Sequence, residues 1–533
     1  MAVPYIPYKA TQILPKLLQE VMDQNPALDR FYTAPAILKN FDAQMALKTA
    51  EFSTEKREIL AECLSVQYKN LNQGASVTAN IEALRKKQTF TVTTGHQLNL
   101  MGGPLYFLYK IISVINLAKT LKKEHPKHTF IPVFWMASED HDFDEINHFY
   151  FGKDRLEWQQ PAQGAVGRYS TTHLSDVLDV FETHLGSNPH ADSLKELFQK
   201  AYIQQHNLAD ATRALVHHFF GEDGLVVIDG DDAQLKQLFV PSVQNELSHQ
   251  WVYNEVTNTN GALKTIDQEY KIQVNPRVLN LFYIKNDLRA RIEENEGVFR
   301  VLNTDLSWGL EGILEEVKSH PERFSPNVLM RPLYQETILP NLCYVGGGGE
   351  LSYWLQLKSC FERFGVIFPL MMHRNSVLLI SEKQHQNLEK LNLTVADLFL
   401  SPDDLTKKIT LNQTQLPVDF SEQKNHLKKQ FEQLYALAKQ TDGSFLGAVA
   451  AQEKKQLKGL SNLEKRLLKA EKRTYKDHIN KALLLQSTFF PNGNLQERVL
   501  NFSTFYAIYG SDFIQKLKSE LDPFQQGFAV ISL

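Results

Sequence analysis

Between residues 89 and 138 the chain reads TFTVTTGHQ, LNLMGG, PLYFLYKIISVINLAKTLKK and then FIPVFWMA. Two short runs of β-branched and aromatic residues flank a segment of helical periodicity. Pro104 stands where a helix can open, since a first-turn proline lacks only an N–H that would have no partner there. Leu105, Leu108, Ile112, Ile115 and Leu117 follow near helical spacing, lysines close the segment, and His125-Pro126 ends it. This order predicts a βαβ unit, which forces two parallel strands and a right-handed crossover. In open parallel sheets ligands bind beyond the carboxyl ends of the strands. TTGHQLNLMGG and SEDHDFDEINH both leave such ends, so the two polar clusters are expected side by side on one edge.

A chain of 533 residues is too long for one ordinary core, and two to four domains are expected. Core segments are expected at 1–150, 206–245 and 326–385. The middle one carries LVVID, and the last reads strand, GGGGE loop, helix, strand. Inserted segments are expected at 151–205, where signals are weak, and at 246–325, where YKIQVNPRVLNLFYI and VFRVL alternate like antiparallel strands. Residues 386–490 change character. Ser401 and Pro402 open a helix, and Leu427, Phe431, Leu434 and Ala438 take coiled-coil spacing. After a turn at Gly443, Leu457, Leu460, Leu463, Leu467 and Ala470 extend an apolar stripe, in a helix that could run about 65 Å if unbroken. Residues 491–533 are expected to fold back onto the body.

Apolar residues make up 43% and charged residues 22%, a globular balance. A net charge of −4 gives no reason to expect nucleic acid as the main partner. Three cysteines without a CxxC pair exclude a disulfide framework and a thiolate zinc site, and fit a reducing cytoplasm. No signal peptide is recognised at the N-terminus, and the most apolar helix is too short to span a bilayer.

Three clusters carry candidate chemistry. In TTGHQLNLMGGP, Gly95, Gly102 and Gly103 let backbone approach a ligand, and His96 and Gln97 can hydrogen-bond a phosphate or carboxylate. The alternative is a turn that simply needs glycines, since the pattern is neither GxGxxG nor a Walker loop. In SEDHDFDEINH, Glu139, Asp140, His141 and Asp142 could hold an ammonium group, act as general base or bind a divalent metal. No HExxH spacing is present, and acidic residues also favour a helix N-terminus. Gly346, Gly347 and Gly348 with Glu350 form a possible phosphate or sugar cradle. Arg331, His373 and Arg374 follow other elements of the same kind, and each could equally be structural. Cys343 reads as a buried structural thiol.

TTGHQLNLMGGPLYFLYKIISVINLAK, PVFWMASEDHDFDEINH, RPLYQETILPNLCYVGGGGELSYWLQLKSCFERFGVIFPLMMHRNS and FFPNGNLQER, in that order, resemble the bacillithiol biosynthesis cysteine-adding enzyme family, a family of cysteine ligases. The resemblance implies an α/β fold: a Rossmann-like parallel-sheet core with two connective-peptide insertions and a C-terminal α-helical coiled coil that promotes a homodimer. It also implies the last step of bacillithiol synthesis, joining the carboxyl of cysteine to the amine of glucosaminyl malate. An amide does not form usefully from a carboxylate and an ammonium ion, so ATP is the expected activator, with magnesium as its possible companion and no tightly bound cofactor. Many members carry Gln at the His96 position, which puts more weight on Gln97.

Fitted to that reaction, Thr94, Gly95, His96, Gln97, Asn99, Gly102, Gly103 and Tyr106 would hold activated cysteine or a phosphate. Glu139 to Asp142 would bind the cysteine ammonium or deprotonate the sugar amine. Arg331, Gly346 to Gly348, Glu350, His373 and Arg374 would receive the malate carboxylates or the sugar. The rival readings are a non-catalytic dimeric scaffold that binds a nucleotide or sugar thiol, and a nucleotidyltransferase acting on another small molecule.

Overall fold

The computed structural model describes residues 3–71, 74–161, 163–441 and 443–533. The chain divides into two compact units, Met1–Leu378 with Glu497–Ile531, and Leu379–Gln496 with the last two residues.

The first unit is built on a five-stranded parallel sheet. In spatial order its strands are Leu370–His373, Asn341–Gly346, Thr89–His96, Thr129–Met136 and Val226–Asp229. The expected βαβ unit is present, with Tyr106–Glu124 as its crossover helix. Thr89–His96 lies at the centre of the sheet and is buried along its whole length. Its neighbour on one side follows it directly in sequence. Its neighbour on the other side arrives some two hundred and fifty residues later, so the strand order reverses beside it. Such a reversal opens a crevice at the carboxyl edge, because crossover helices leave in opposite directions on either side.

Threonines in the central strand find partners within the sheet. Thr93 Oγ1 donates to Asn341 Oδ1 at 2.9 Å, and Thr94 Oγ1 donates to the Val345 carbonyl at 2.7 Å. Thr94 therefore serves the sheet and does not face a ligand.

The first inserted region, whose sequence signals are weak, folds as a hairpin (His148–Phe151 with Asp154–Glu157) and two helices, Leu174–His184 and Pro189–Phe198. Asn188 caps the second helix, and Pro189 opens it. The second region holds the helix Trp251–Ile266 and an antiparallel sheet of five strands. Of the stretch expected to be extended, only Leu281–Lys285 pairs as a strand; residues 271–280 run irregularly into it, with Pro276 unable to donate to a ladder.

In the second unit the helices Ser421–Ala438 and Gly443–Thr474 form the expected hairpin, and Phe431, Ala438 and Val449 make a small core between them. The long helix is interrupted at Tyr475 before Lys476–Phe489, so it is shorter than the unbroken reading, about 48 Å. Ser401 caps Pro402–Gln413 as its sequence implies.

Glu336 lies fully buried beneath the sheet, accepting from Gln335 Nε2 at 2.8 Å and from Asn341 Nδ2 at 2.7 Å, with Lys48 Nζ at 3.8 Å. Burial pushes its carboxyl up to about 7 against the pull of Lys48, from an ordinary 4.5. The folded chain thus holds a proton that the unfolded chain has released between those values, and stability falls as pH rises through that window. The loss amounts to roughly 3 kcal/mol by pH 8. Urea unfolding at pH 5 and pH 8 should show this fall in the wild type and a much flatter profile in Glu336→Gln.

Candidate active site

A cavity of about 620 Å³ opens at the carboxyl edge of the sheet, where the strand order reverses. The expectation that the two polar clusters share an edge is met atom by atom. Gly95 pairs with Trp135 and His96 with Met136, and the Ala137 amide donates to the His96 carbonyl at 3.0 Å. Immediately beyond, Gln97 Nε2 donates to Asp140 Oδ2 at 2.5 Å, tying one strand end to the other.

Asp140 is held as a carboxylate. Burial alone would raise its pKa, but hydrogen bonds from the His141 backbone amide and from Gln97, with the nearby Arg289 charge, outweigh that and hold it well below the usual range. Glu139 is buried deeper, against Lys236 Nζ at 2.7 Å. Burial raises its pKa, opposed by the lysine. Lys236 is shared with Asp231 at 3.1 Å, and Arg168 from the first inserted region grips Asp231 through two nitrogens. This network fixes the floor behind Glu139.

His141 Nδ1 lies 2.6 Å from Arg289 Nη1 and 3.3 Å from Asp140 Oδ1. A guanidinium can only donate, so Nδ1 is the acceptor of that contact and the ring proton sits on Nε2. His141 is therefore not paired with Asp140 in an acid–base dyad.

His96 is buried, its ring edge-on to Tyr106 at 5.2 Å, with Nε2 lacking a hydrogen-bond partner among the described residues. Burial, reinforced by the Lys110 charge, takes its pKa down to about 3. It is a neutral ring at any physiological pH, too weak a base to take a proton from an ammonium ion.

On the far side of the central strand, Lys110 Nζ donates to the Gly95 carbonyl at 2.7 Å and pairs with Glu350 at 2.6 Å. Glu350 also accepts from the Gly347 amide at 2.8 Å and from Tyr344 Oη at 3.1 Å. The glycine loop therefore already has its own carboxylate on its first amide, which leaves it poorly suited as a bare phosphate cradle. Arg331 lies between Trp135 and Tyr344, 5.8 Å from each ring. Arg374 is clamped by Glu497 through two nitrogens at 3.0 and 2.6 Å and lies over Tyr106.

Of the residues the sequence singled out, Gly95, His96, Gln97, Tyr106, Glu139, Asp140, His141, Arg331, Gly347, Gly348, Glu350 and Arg374 line this cavity. Seven do not. Thr94 serves the sheet, as above. Asn99 donates to the Glu145 carbonyl at 3.0 Å. Gly102 and Gly103 have φ of +71° and +68°, and an added Cβ would stand 2.5 Å from Phe107 or 2.7 Å from Asn99; they shape a tight turn and present no backbone to the cavity. Asp142 caps the short helix Phe143–Ile146 through the Glu145 amide. Gly346 closes its strand, accepting from the Arg374 amide. His373 is turned toward Tyr8, 3.1 Å from its hydroxyl.

Sequence reading missed Lys110, hidden inside a helix that looks merely apolar, and Lys236. It also missed Arg277, Arg289 and Arg291 in the second inserted region. In LRARIEEN the two arginines fall two apart, hence on one strand face, which was the available signal. Among the described residues no group of three or more His, Cys, Asp or Glu side chains is arranged to hold a metal.

A parallel sheet opening at its switch point on a closely packed set of carboxylates, imidazoles and cations defines a Rossmann-like α/β enzyme for small polar molecules. Residues 1–375 match the family described as bacillithiol biosynthesis BshC, N-terminal Rossmann-like domain, and residues 377–533 match its C-terminal coiled-coil domain. The chain is 49% identical over 528 residues to a Flavobacterium johnsoniae protein named "Putative cysteine ligase BshC", covering 99% of each chain. Proteins of the same name from Cytophaga hutchinsonii (40% identical, covering 96% of this chain and 95% of the relative) and Bacillus cereus (29%, 87% and 88%) are also similar. The chain belongs to the BshC family of bacillithiol biosynthesis.

Removing Glu350 leaves the Lys110 ammonium buried with a carbonyl alone. Glu350→Ala is expected to lower stability by roughly 1–3 kcal/mol. Adding Lys110→Met should recover much of that loss, because a buried charge without a counterion is then absent. A double-mutant cycle by urea denaturation checks both.

Proposed function

We propose that this protein joins L-cysteine, through its carboxyl group, to the amine of glucosaminyl malate, after nucleotide-dependent activation of the carboxyl. The observation that carries this reading is the Gln97–Asp140 contact, which holds an ionised carboxylate in a cavity otherwise rich in guanidinium groups. An amine-bearing polyanion and an amino acid both find complementary partners there.

Chemically, a cysteine carboxylate oxygen attacks the α-phosphorus of ATP and expels pyrophosphate, giving a mixed anhydride. The amine, once it has shed a proton, attacks the carbonyl carbon; the C–N bond forms, the C–O bond to the phosphate breaks, and AMP leaves with its electron pair. Asp140, held ionised, attracts an ammonium group and orients it. Glu139, whose raised pKa makes it a better proton acceptor than an ordinary carboxylate, is the group suited to taking the amine proton. The His141 Nε2–H is a donor for charge developing on the acyl or phosphoryl oxygen.

In the second unit Leu434 and Leu437 on one helix, and Phe445 and Leu446 on the next, are 38–54% exposed near the hairpin turn. Exposed leucines on a coiled-coil hairpin support a homodimer formed through it. Light scattering of Leu434→Glu/Leu437→Glu is expected to show a monomer where the wild type shows a dimer; an unchanged mass would remove the hairpin from the interface.

For the chemistry, Asp140→Asn and His141→Ala should lower bacillithiol formation from cysteine, glucosaminyl malate and ATP by about 10²–10⁴-fold while remaining folded. Wild-type rates in both would sink the assignment. His96→Gln should stay within a few-fold of wild type with an unshifted pH profile, because the ring it replaces is already neutral. Cysteine-dependent exchange of labelled pyrophosphate into ATP tests the activation step.

A further inference from the structure

Lys236 extends from the short helix Ala233–Gln237 and its side chain is 3% exposed. Its three donors have three acceptors: Glu139 Oε1 lies 2.7 Å away, Asp231 Oδ1 3.1 Å and the Glu322 carbonyl 3.0 Å. Two carboxylates therefore share one ammonium, which leaves one negative charge unmatched. A second cation decides where that charge falls. Arg168 donates from Nε to Asp231 Oδ2 at 2.6 Å and from Nη2 to Asp231 Oδ1 at 2.9 Å, a fork that Glu139 does not receive. Against burial, Lys236 and Arg168 hold Asp231 down to about 2, whereas burial drives Glu139 up despite the lysine. The turn that supplies Arg168 also grips the backbone on both sides of Glu139. The Gly167 amide donates to the Ser138 carbonyl and the Val166 amide to the Asp140 carbonyl, each at 2.7 Å. A Cβ on Gly167 would stand 2.5 Å from Ser138 Cβ, so this approach requires glycine. Ser138 Oγ and the Asp231 amide both donate to Asp229 Oδ1. Contacts thus run from Ser138 through Asp229 and Asp231 to Lys236 and back to Glu139, a closed loop around one carboxylate that lines the cavity.

We propose that Arg168, Asp231 and Lys236 are positioning residues: Arg168 secures Asp231, so that of the two carboxylates sharing Lys236 only Glu139 exchanges a proton with the ligand's ammonium group. In that exchange an ammonium N–H bond breaks, its electron pair stays on nitrogen, and the proton passes to a Glu139 carboxyl oxygen. Lys236 keeps the carboxylate ionised until the amine arrives, and Asp231 limits how strongly the lysine does so. The other charged or titratable groups near Glu139 have partners elsewhere. Arg289 contacts His141, Asp140 accepts from Gln97, and the Tyr334 hydroxyl donates to the Gly230 carbonyl. Asp229 is reached through Ser138. The proposal rests on the amide-forming reading for the identity of the amine, but the charge arrangement does not.

Difference infrared spectroscopy of the full-length protein without ligands, titrated with pH, tests the device apart from catalysis. The carboxyl signal that Glu139→Gln removes reports the protonation of Glu139. Lys236→Met should raise its midpoint by roughly 1–3 pH units, and Asp231→Asn should lower it. Arg168→Gln, at a side chain 40% exposed, should raise the first midpoint and spread the signal over Glu139 and Asp231. Should Lys236→Met fail to fold, the opposite effects of Arg168→Gln and Asp231→Asn decide the matter. A purely structural role would not give shifts whose sign follows the charge removed. The acid limb of the pH–rate profile for amide formation should move in the same order. Midpoints that stay put, or that move the same way in Asp231→Asn as in the cation variants, would overturn the proposal. So would a wild-type rate and profile in Glu139→Gln, with the ligase reading left intact. If no amide product forms while the infrared midpoints move as expected, the reaction is wrong and the charge device stands.

Discussion

The in-register pairing of Thr89–His96 with Thr129–Met136 is the constraint on which the site depends. Because those strands are parallel and end together, a glycine-containing turn and an acidic turn must emerge at the same height. Gln97 and Asp140 then meet across the gap without either loop having to reach. A register slip of one residue would turn every side chain of one strand to its opposite face. The strands are fixed against such a slip by burial along both and by the threonine contacts to Asn341 and Val345.

Around that edge, charge is arranged in two ways. Beneath and beside the cavity, cations and carboxylates neutralise one another: Lys236 with Glu139 and Asp231, Lys110 with Glu350, and Arg374 with Glu497. Removing either member of such a buried pair strands the other, so the Lys110–Glu350 and Arg374–Glu497 pairs chiefly hold geometry. Where the second inserted region lines the cavity, it contributes Arg277, Arg289 and Arg291 and no carboxylate. A rigid, balanced floor facing an unbalanced wall orients a ligand by charge before any chemistry begins.

Burial also sorts the candidate acids and bases. His96 and His373, each taken down to about 3 by burial and a neighbouring cation, stay neutral and act through hydrogen bonds and ring contacts. Asp140 stays charged because donors surround it, while Glu139, one residue away and deeper, is pushed the other way. Adjacent carboxylates driven in opposite directions by their surroundings can divide the roles of cation holder and proton acceptor.

By itself the sequence determined the elements of the core. The βαβ unit, the later strand–glycine–helix–strand segment and the helical hairpin are each written in local periodicity, which a strand or helix imposes on its own residues. Twelve of the nineteen candidate site residues line the cavity, because position at a strand end follows from those same elements. The tertiary structure alone decided the rest. Asn99, Asp142 and His373 carry the right functional groups but are drawn to a carbonyl, a helix end and a tyrosine, partners supplied by the fold. Lys110 and Arg289 looked like a helix residue and a surface strand residue, yet each is brought into the cavity by packing. Side-chain direction toward a shared space depends on which distant elements close around it, and no local pattern encodes that.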